Sequence, residues 1–206
     1  MNRKEEIILA TLELAAEKGL GNVSMSQIAE KVGIQKPSLY NHFKSKDEII
    51  TAMYQYFREK SKQKLSLENI NYSELIKGKS LYDVLIQSTS NYTKINTDDD
   101  LFAFYKVVYS ERSVNPIAAK IIIDETNKMI AATKELFVAL KAQKKLCTDD
   151  IDMTAVSFAM TIHSIMDYRF DFLCLKETIP QDDIMQNYIK WFCGQFGGNE
   201  NEKNVD

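Results

Sequence analysis

Between Ser24 and Lys46 the chain reads SMSQIAEKVGIQKPSLYNHFKSK, and its punctuation leaves little room for anything but two short helices joined by a tight turn. Ser24, with Gln27 three residues on, has capping-box spacing. The helix it opens, about 25–32, turns Ile28, Ala29 and Val32 to one side. Gly33 ends that helix and supplies the turn. Pro37 falls in the first turn of the next helix, where a missing N–H leaves nothing unpaired. Leu39 and Phe43, four apart, seat this second helix, and Ser38, Tyr40, Asn41 and His42 are left facing outward. Such an outer face suits phosphates and base edges.

The remaining chain reads as helices too. Long stretches carry neither Gly nor Pro, of which there are 7 and 3. A helix over 3–18 precedes the turn, with Ile7, Ile8, Leu12, Ala15 and Ala16 in one stripe and Gly19 as its stop. Ser45, with Glu48 three on, caps a long helix over about 46–65. That helix has a basic far end, Arg58 to Lys64, which complements its dipole. Residues 66–79 read as loop. Further helices are expected over 80–94, from Asp98–Asp100 through LFAFYKVVY, over 115–144, 149–176 and 181–196, the last two parted at Pro180. The FxFY run has strand propensity of its own and is kept helical for its neighbours. The fold class is therefore all-α, with about nine helices: an N-terminal three-helix head on a helical body. Domains are expected at 1–46 and 47–196, followed by a polar, disordered tail at 197–206.

Charge divides along the same line. The net charge is −3, but residues 1–64 carry 11 Lys and Arg against 8 Asp and Glu, and the remaining 142 carry 15 against 21. A mildly basic head on an acidic body puts any DNA contact at the head. The three cysteines, Cys147, Cys174 and Cys193, are far apart and lack metal-ligand spacing, a reduced cytoplasmic usage. No signal-peptide core and no run of about 18 uncharged apolar residues occurs, so no membrane partner is expected. No paired nucleophile and base, phosphate-cradling glycine loop or metal cluster appears, which argues against an enzyme and against a cofactor or metal.

The residues Val23-Ser24-Met25, Ile28-Ala29, Val32-Gly33-Ile34, Ser38-Leu39-Tyr40-Asn41-His42-Phe43 and Lys46, behind an apolar first helix ending at Gly19, resemble the TetR (tetracycline-repressor-like) family of bacterial transcription regulators. The resemblance covers about the first 55 residues. It implies a homodimer, a helix-turn-helix head on a palindromic double-stranded operator, and an effector pocket in the body whose occupation releases the DNA.

Chemistry assigns the contacts within the head. Lys36 suits a phosphate or a guanine edge. Ser38 and Asn41 suit base edges, directly or through water. Tyr40 offers a hydroxyl to phosphate and a ring to a thymine methyl. His42 donates a ring N–H, and Lys46 anchors a phosphate. Ser24 and Ser26 bring hydroxyls and helix-start amides to the backbone, and Gln35 sits in the turn between. Ser24 has a second reading as a plain cap.

In the body, Ala155, Phe158, Ile162, Ile165, Phe170, Tyr188, Trp191 and Phe192 form a wide apolar face on the last two helices. That face is either an intersubunit four-helix bundle or monomer core, and the dimer is preferred. Tyr54, Phe57, Phe102, Tyr105, Tyr109, Met129, Phe137 and Met166 are the stock for a largely apolar or aromatic effector, or else ordinary core. His163 is the polar candidate among them, or a satisfied core histidine, and Arg112 pairs either with an anionic group or with a neighbouring acid. The competing reading is a helical small-molecule or lipid-binding protein with no DNA role.

Overall fold

The computed structural model of the chain describes residues 2–65, 71–93, 98–175 and 183–198, with side chains for all of these but 61–65 and 91–93. Its helices are α1 (Arg3–Lys18), α2 (Met25–Val32), α3 (Lys36–His42), α4 (Lys46–Leu65), α5 (Tyr72–Ile76), α6 (Leu81–Thr93), α7 (Asp99–Glu111), α8 (Pro116–Ala142), α9 (Ile151–Leu175) and α10 (Ile184–Phe196). Among the described residues there is no strand, only a single antiparallel bridge between Leu146 and Gly197.

Helix α5 lies in the stretch expected as loop. At five residues it is too short to display a period; Asn71 caps it, accepting the Glu74 N–H at 3.3 Å. The FxFY run is helical, as α7. Asp98 accepts the Leu101 N–H at 3.0 Å, and Leu101, Phe104, Val107 and Val108 fall on one buried face at helical spacing. The Pro180 break and the tail from residue 199 lie outside the described residues.

The chain forms two compact units, one from residues 1–66 and 94–123, the other from 67–93 and 124–206. In the first, α1 packs against α2, α4 and α7. Its core joins Ile7, Leu12, Ile28, Leu39, Ile49, Met53, Phe57 and Phe104. Each such side chain, fully buried, stabilises the fold by about 1.5–3 kcal/mol. Helix α4 and the start of α7 are also tied by charge. Lys60 Nζ lies 2.8 Å from Asp100 and 3.6 Å from Asp98. Burial pulls the Lys60 pKa down, but the hydrogen bonds and charges of Asp100 and Asp98 outweigh it and leave it raised. Lys60, at the basic end of α4, therefore serves the neighbouring α7.

In the second unit α10 packs on α6 and α9. Its core is aromatic at the centre: the Phe158 ring lies 5.4 Å from Phe137 and 4.8 Å from Phe192. Tyr72 ties α5 to α8, donating to the Glu135 carboxylate at 3.2 Å. The end of α10 is clasped to the α8–α9 turn: Cys147 N–H donates to Phe196 O at 2.7 Å and Gly198 N–H to Lys145 O at 3.0 Å. Only glycine fits at 198, since a Cβ there would fall 2.0 Å from Lys144 O.

Candidate nucleic-acid interface

The turn between α2 and α3 is built as its punctuation requires. Ser24 Oγ accepts the Gln27 N–H at 3.3 Å and Gln27 Oε1 accepts the Ser24 N–H at 3.0 Å, closing the box. Gly33 is left-handed at φ 72°, ψ 32°, which frees Ile34 N–H to reach Ala29 O at 2.9 Å and halt α2. Gln35 is the N-cap of α3 but makes no side-chain capping bond, so its amide is not committed to the cap.

Helix α3 spans seven residues and is held down by two of its neighbourhood: Leu39 is 0% exposed and Phe43 3%. With those seated, Gln35, Lys36, Ser38 and Asn41 are exposed, Tyr40 is 43% exposed, and His42 is half-buried. Ser26 is exposed on α2. The outward set expected from sequence thus gathers on one short helix and the start of its partner. Tyr40 stands out as a large ring left in solvent beside a fully buried Leu39, which packing alone does not demand.

Two lysines exchange prominence. Lys46 is half-buried and its ammonium donates to Leu20 O at 3.3 Å, tying the start of α4 to the turn after α1. Two of its three N–H groups remain for a phosphate. Lys44 is the exposed lysine at the corner between α3 and α4; its backbone N–H donates to Glu48 Oε2 at 2.6 Å, while Ser45 Oγ accepts the Glu48 N–H at 3.2 Å. It was not among the expected contacts. The signal for it was the bare KSK spacing, in which the motif lysine draws attention from its neighbour.

The expected effector residues divide between the two units. In the first, Tyr54 and Phe57 are fully buried against Phe104, with centroids 6.1 and 5.3 Å away, and Tyr105 stands edge-on to Phe104 at 5.3 Å. Phe102 and Tyr109 are half-buried, and the exposed Arg112 places its guanidinium 5.0 Å from the Tyr109 centroid. In the second, Phe137 is fully buried, Met129 is 5% exposed and Met166 is half-buried. His163 Nδ1 lies 3.4 Å from Asp167 Oδ2, one turn further along α9. An open groove of about 460 Å³ in the first unit, between Lys4 and Ile8 of α1 and Asp47, Glu48 and Ala52 of α4, is lined by none of these.

The face expected to pair two copies separates in the same way. Ala155, Phe158, Ile162, Ile165 and Phe192 are 0–6% exposed within one chain, so the chain itself covers them. Phe170 and Tyr188 are half-buried, and Trp191 is 56% exposed. What α9 leaves in solvent is a different stripe, Met153, Met160, Tyr168 and Leu175, and α10 leaves Ile184 and Trp191 exposed. Two helix faces were available, and a count of apolar residues selects the more apolar one, which is the one a monomer buries first.

Comparison with known proteins agrees with this geometry. Residues 7–53 match the family model for bacterial regulatory proteins of the tetR family, and residues 83–193 match that for the C-terminal domain of AefR-like transcriptional repressors. The HTH-type transcriptional regulator YerO of Bacillus subtilis (strain 168) is 34% identical over 83 residues, 40% of this chain and 27% of that protein. The HTH-type transcriptional regulator QacR of Staphylococcus aureus (strain Mu50) is 23% identical over 171 residues, 83% of this chain and 88% of that one. Of the relatives matched mainly at the head, YerO among them, the chain spans about a quarter of the length. Among solved structures, that of the SmeT–triclosan complex superposes with a TM-score of 0.66 at 12% identity, over 96% of this chain and 92% of that one, and shares the fold.

Proposed function

Because the chain belongs to the TetR family of bacterial regulatory proteins, we propose that it is a DNA-binding transcription regulator, a repressor that holds a palindromic operator as a homodimer and leaves it when a small molecule occupies the body. The observation that carries the reading is α3: one helix of seven residues, anchored by a buried Leu39, with Lys36, Ser38, Tyr40 and Asn41 all outward. Its length suits a major groove, and its groups suit the edges found there. Ser24, Ser26, Lys44 and Lys46 hold flanking phosphates, with Gln35 and His42 at the two ends of α3.

We assign DNA contact to residues 1–46, and effector binding and dimerisation to 47–196. One head carries too few contacts for an operator. Two heads about 34–36 Å apart read two half-sites. The exposed apolar residues of α9 and α10 are the surface proposed to join the copies. The effector is assigned as largely apolar or aromatic, from the aromatic stock of the body; SmeT, which has this fold, is known as a triclosan complex. No described helix is long and apolar enough to cross a membrane.

A gel shift with the DNA upstream of the chain's own coding sequence tests the proposal. We expect retention that weakens steeply between about 50 and 200 mM salt, and at least tenfold weaker retention for Tyr40→Ala with unchanged melting. Equal binding by that variant, or no binding to any duplex at low salt, overturns it in favour of a small-molecule carrier with no DNA role.

A further inference from the structure

Among the described residues one buried side-chain polar atom has no hydrogen-bond partner, the Tyr54 hydroxyl. Tyr54 is 2% exposed, in a core where phenylalanine would fill the same space. An unpaired buried hydroxyl penalises the arrangement that contains it, so its presence calls for a second arrangement in which it is paired.

The direction of that partner follows from the packing. Lys60 pairs with Asp98 and Asp100, and Phe57 stacks on Phe104, so α4 and α7 run in opposite directions. A helical side chain leans toward its own N-terminus. Tyr54 therefore leans toward the C-terminal end of α7, where Glu111 is half-buried. Burial, then the Glu111 charge, push the Tyr54 pKa up to about 12. At its other end α4 begins three residues after α3 stops at Phe43, and Lys46 ties it to Leu20. Helix α4 is thus the element that joins the end of α3 to α7.

We propose that Tyr54 senses the register of α4 against α7: its hydroxyl, unpaired in the arrangement described, donates to the Glu111 carboxylate in the arrangement that operator binding draws on. This rests on the DNA-binding reading above.

The test uses the full chain and a duplex recovered from random-sequence DNA by selection on the wild-type protein. Tyr54→Phe is expected to melt at the same temperature or about 2–4 °C higher, and to bind the duplex roughly tenfold more weakly, the size of one hydrogen bond to a charged acceptor. Glu111→Ala should reproduce the loss, and the double variant should lose no more than either single one. A Tyr54→Phe melting point several degrees lower means the hydroxyl already has a partner and overturns the proposal. So does unchanged affinity, or losses that multiply in the double variant. If the wild type selects no duplex, the DNA reading fails and takes this inference with it; if it does and both variants bind alike, only the inference fails.

Discussion

At the scale of single residues the head shows how a motif position and its physical use come apart. Lys46 is the lysine that the TetR-like pattern marks, yet its ammonium rests on Leu20 O. Lys44 has no such place in the pattern and stands exposed. The two are separable by experiment. Lys44→Ala should reduce the slope of log affinity against log salt by about one and leave the melting point within about 1 °C. Lys46→Ala should flatten the slope and also lower melting by about 2–4 °C, for a lost hydrogen bond that braces two elements. Affinities across a salt series, with a melt of each variant, decide it. Equal melting of the two variants would show that the Leu20 contact contributes nothing to stability.

At the scale of elements, what the sequence disclosed depended on length and on how many faces an element has. The Ser24–Gln27 capping box, the Gly33 stop and the one-sided stripe of α2 were legible because each is local and has one solution. So was the outward set on α3, whose buried side needs only Leu39 and Phe43. Helix α5 was not, since five residues cannot show a period. Helix α9 poses the opposite difficulty: it is apolar on more than one side, and periodicity does not say which side a neighbour takes. The exposed side makes the prediction. Replacing both Met160 and Tyr168 by lysine should turn a dimer into a monomer in sedimentation, by placing charges in an apolar seam. It should also abolish operator retention at moderate salt while the helical circular dichroism persists. A variant that still sediments as a dimer places the contact elsewhere.

At the scale of the whole molecule, three phenols and a thiol among the described residues titrate against the fold. Burial and then the Glu111 charge raise Tyr54 to about 12; burial and then the Glu135 bond and charge raise Tyr72 to about 12. Burial also raises Tyr188, against a bond to Thr161 that lowers it, and raises Cys193 to about 11. In each case the folded chain keeps a proton that the unfolded chain has released. Stability is thus fully present below about pH 9, where the thiol of an unfolded chain titrates, and falls as pH rises through about 10 to 12. Chemical denaturation at pH 8, 10 and 11 should show this decline, and Tyr72→Phe should make it shallower. A flat profile over that range would mean these groups titrate alike in both states.

The core of the first unit has a consequence for how such a chain can be recombined. Its apolar residues come from two separate stretches, since Leu101, Phe104, Val107 and Val108 complete what Ile7, Leu12, Met53 and Phe57 begin. The part proposed to read DNA is therefore not a cassette that can be cut out at one place. A hybrid that took only residues 1–66 from this chain would inherit α3 without the side of the core that Leu101, Phe104, Val107 and Val108 supply. A working graft would carry 94–123 along, or would refit the seam of the recipient residue by residue. On the proposed function, specificity for an operator can drift through the exposed groups on α3, while exchange of whole heads is constrained by α7, which begins 34 residues after α4 ends.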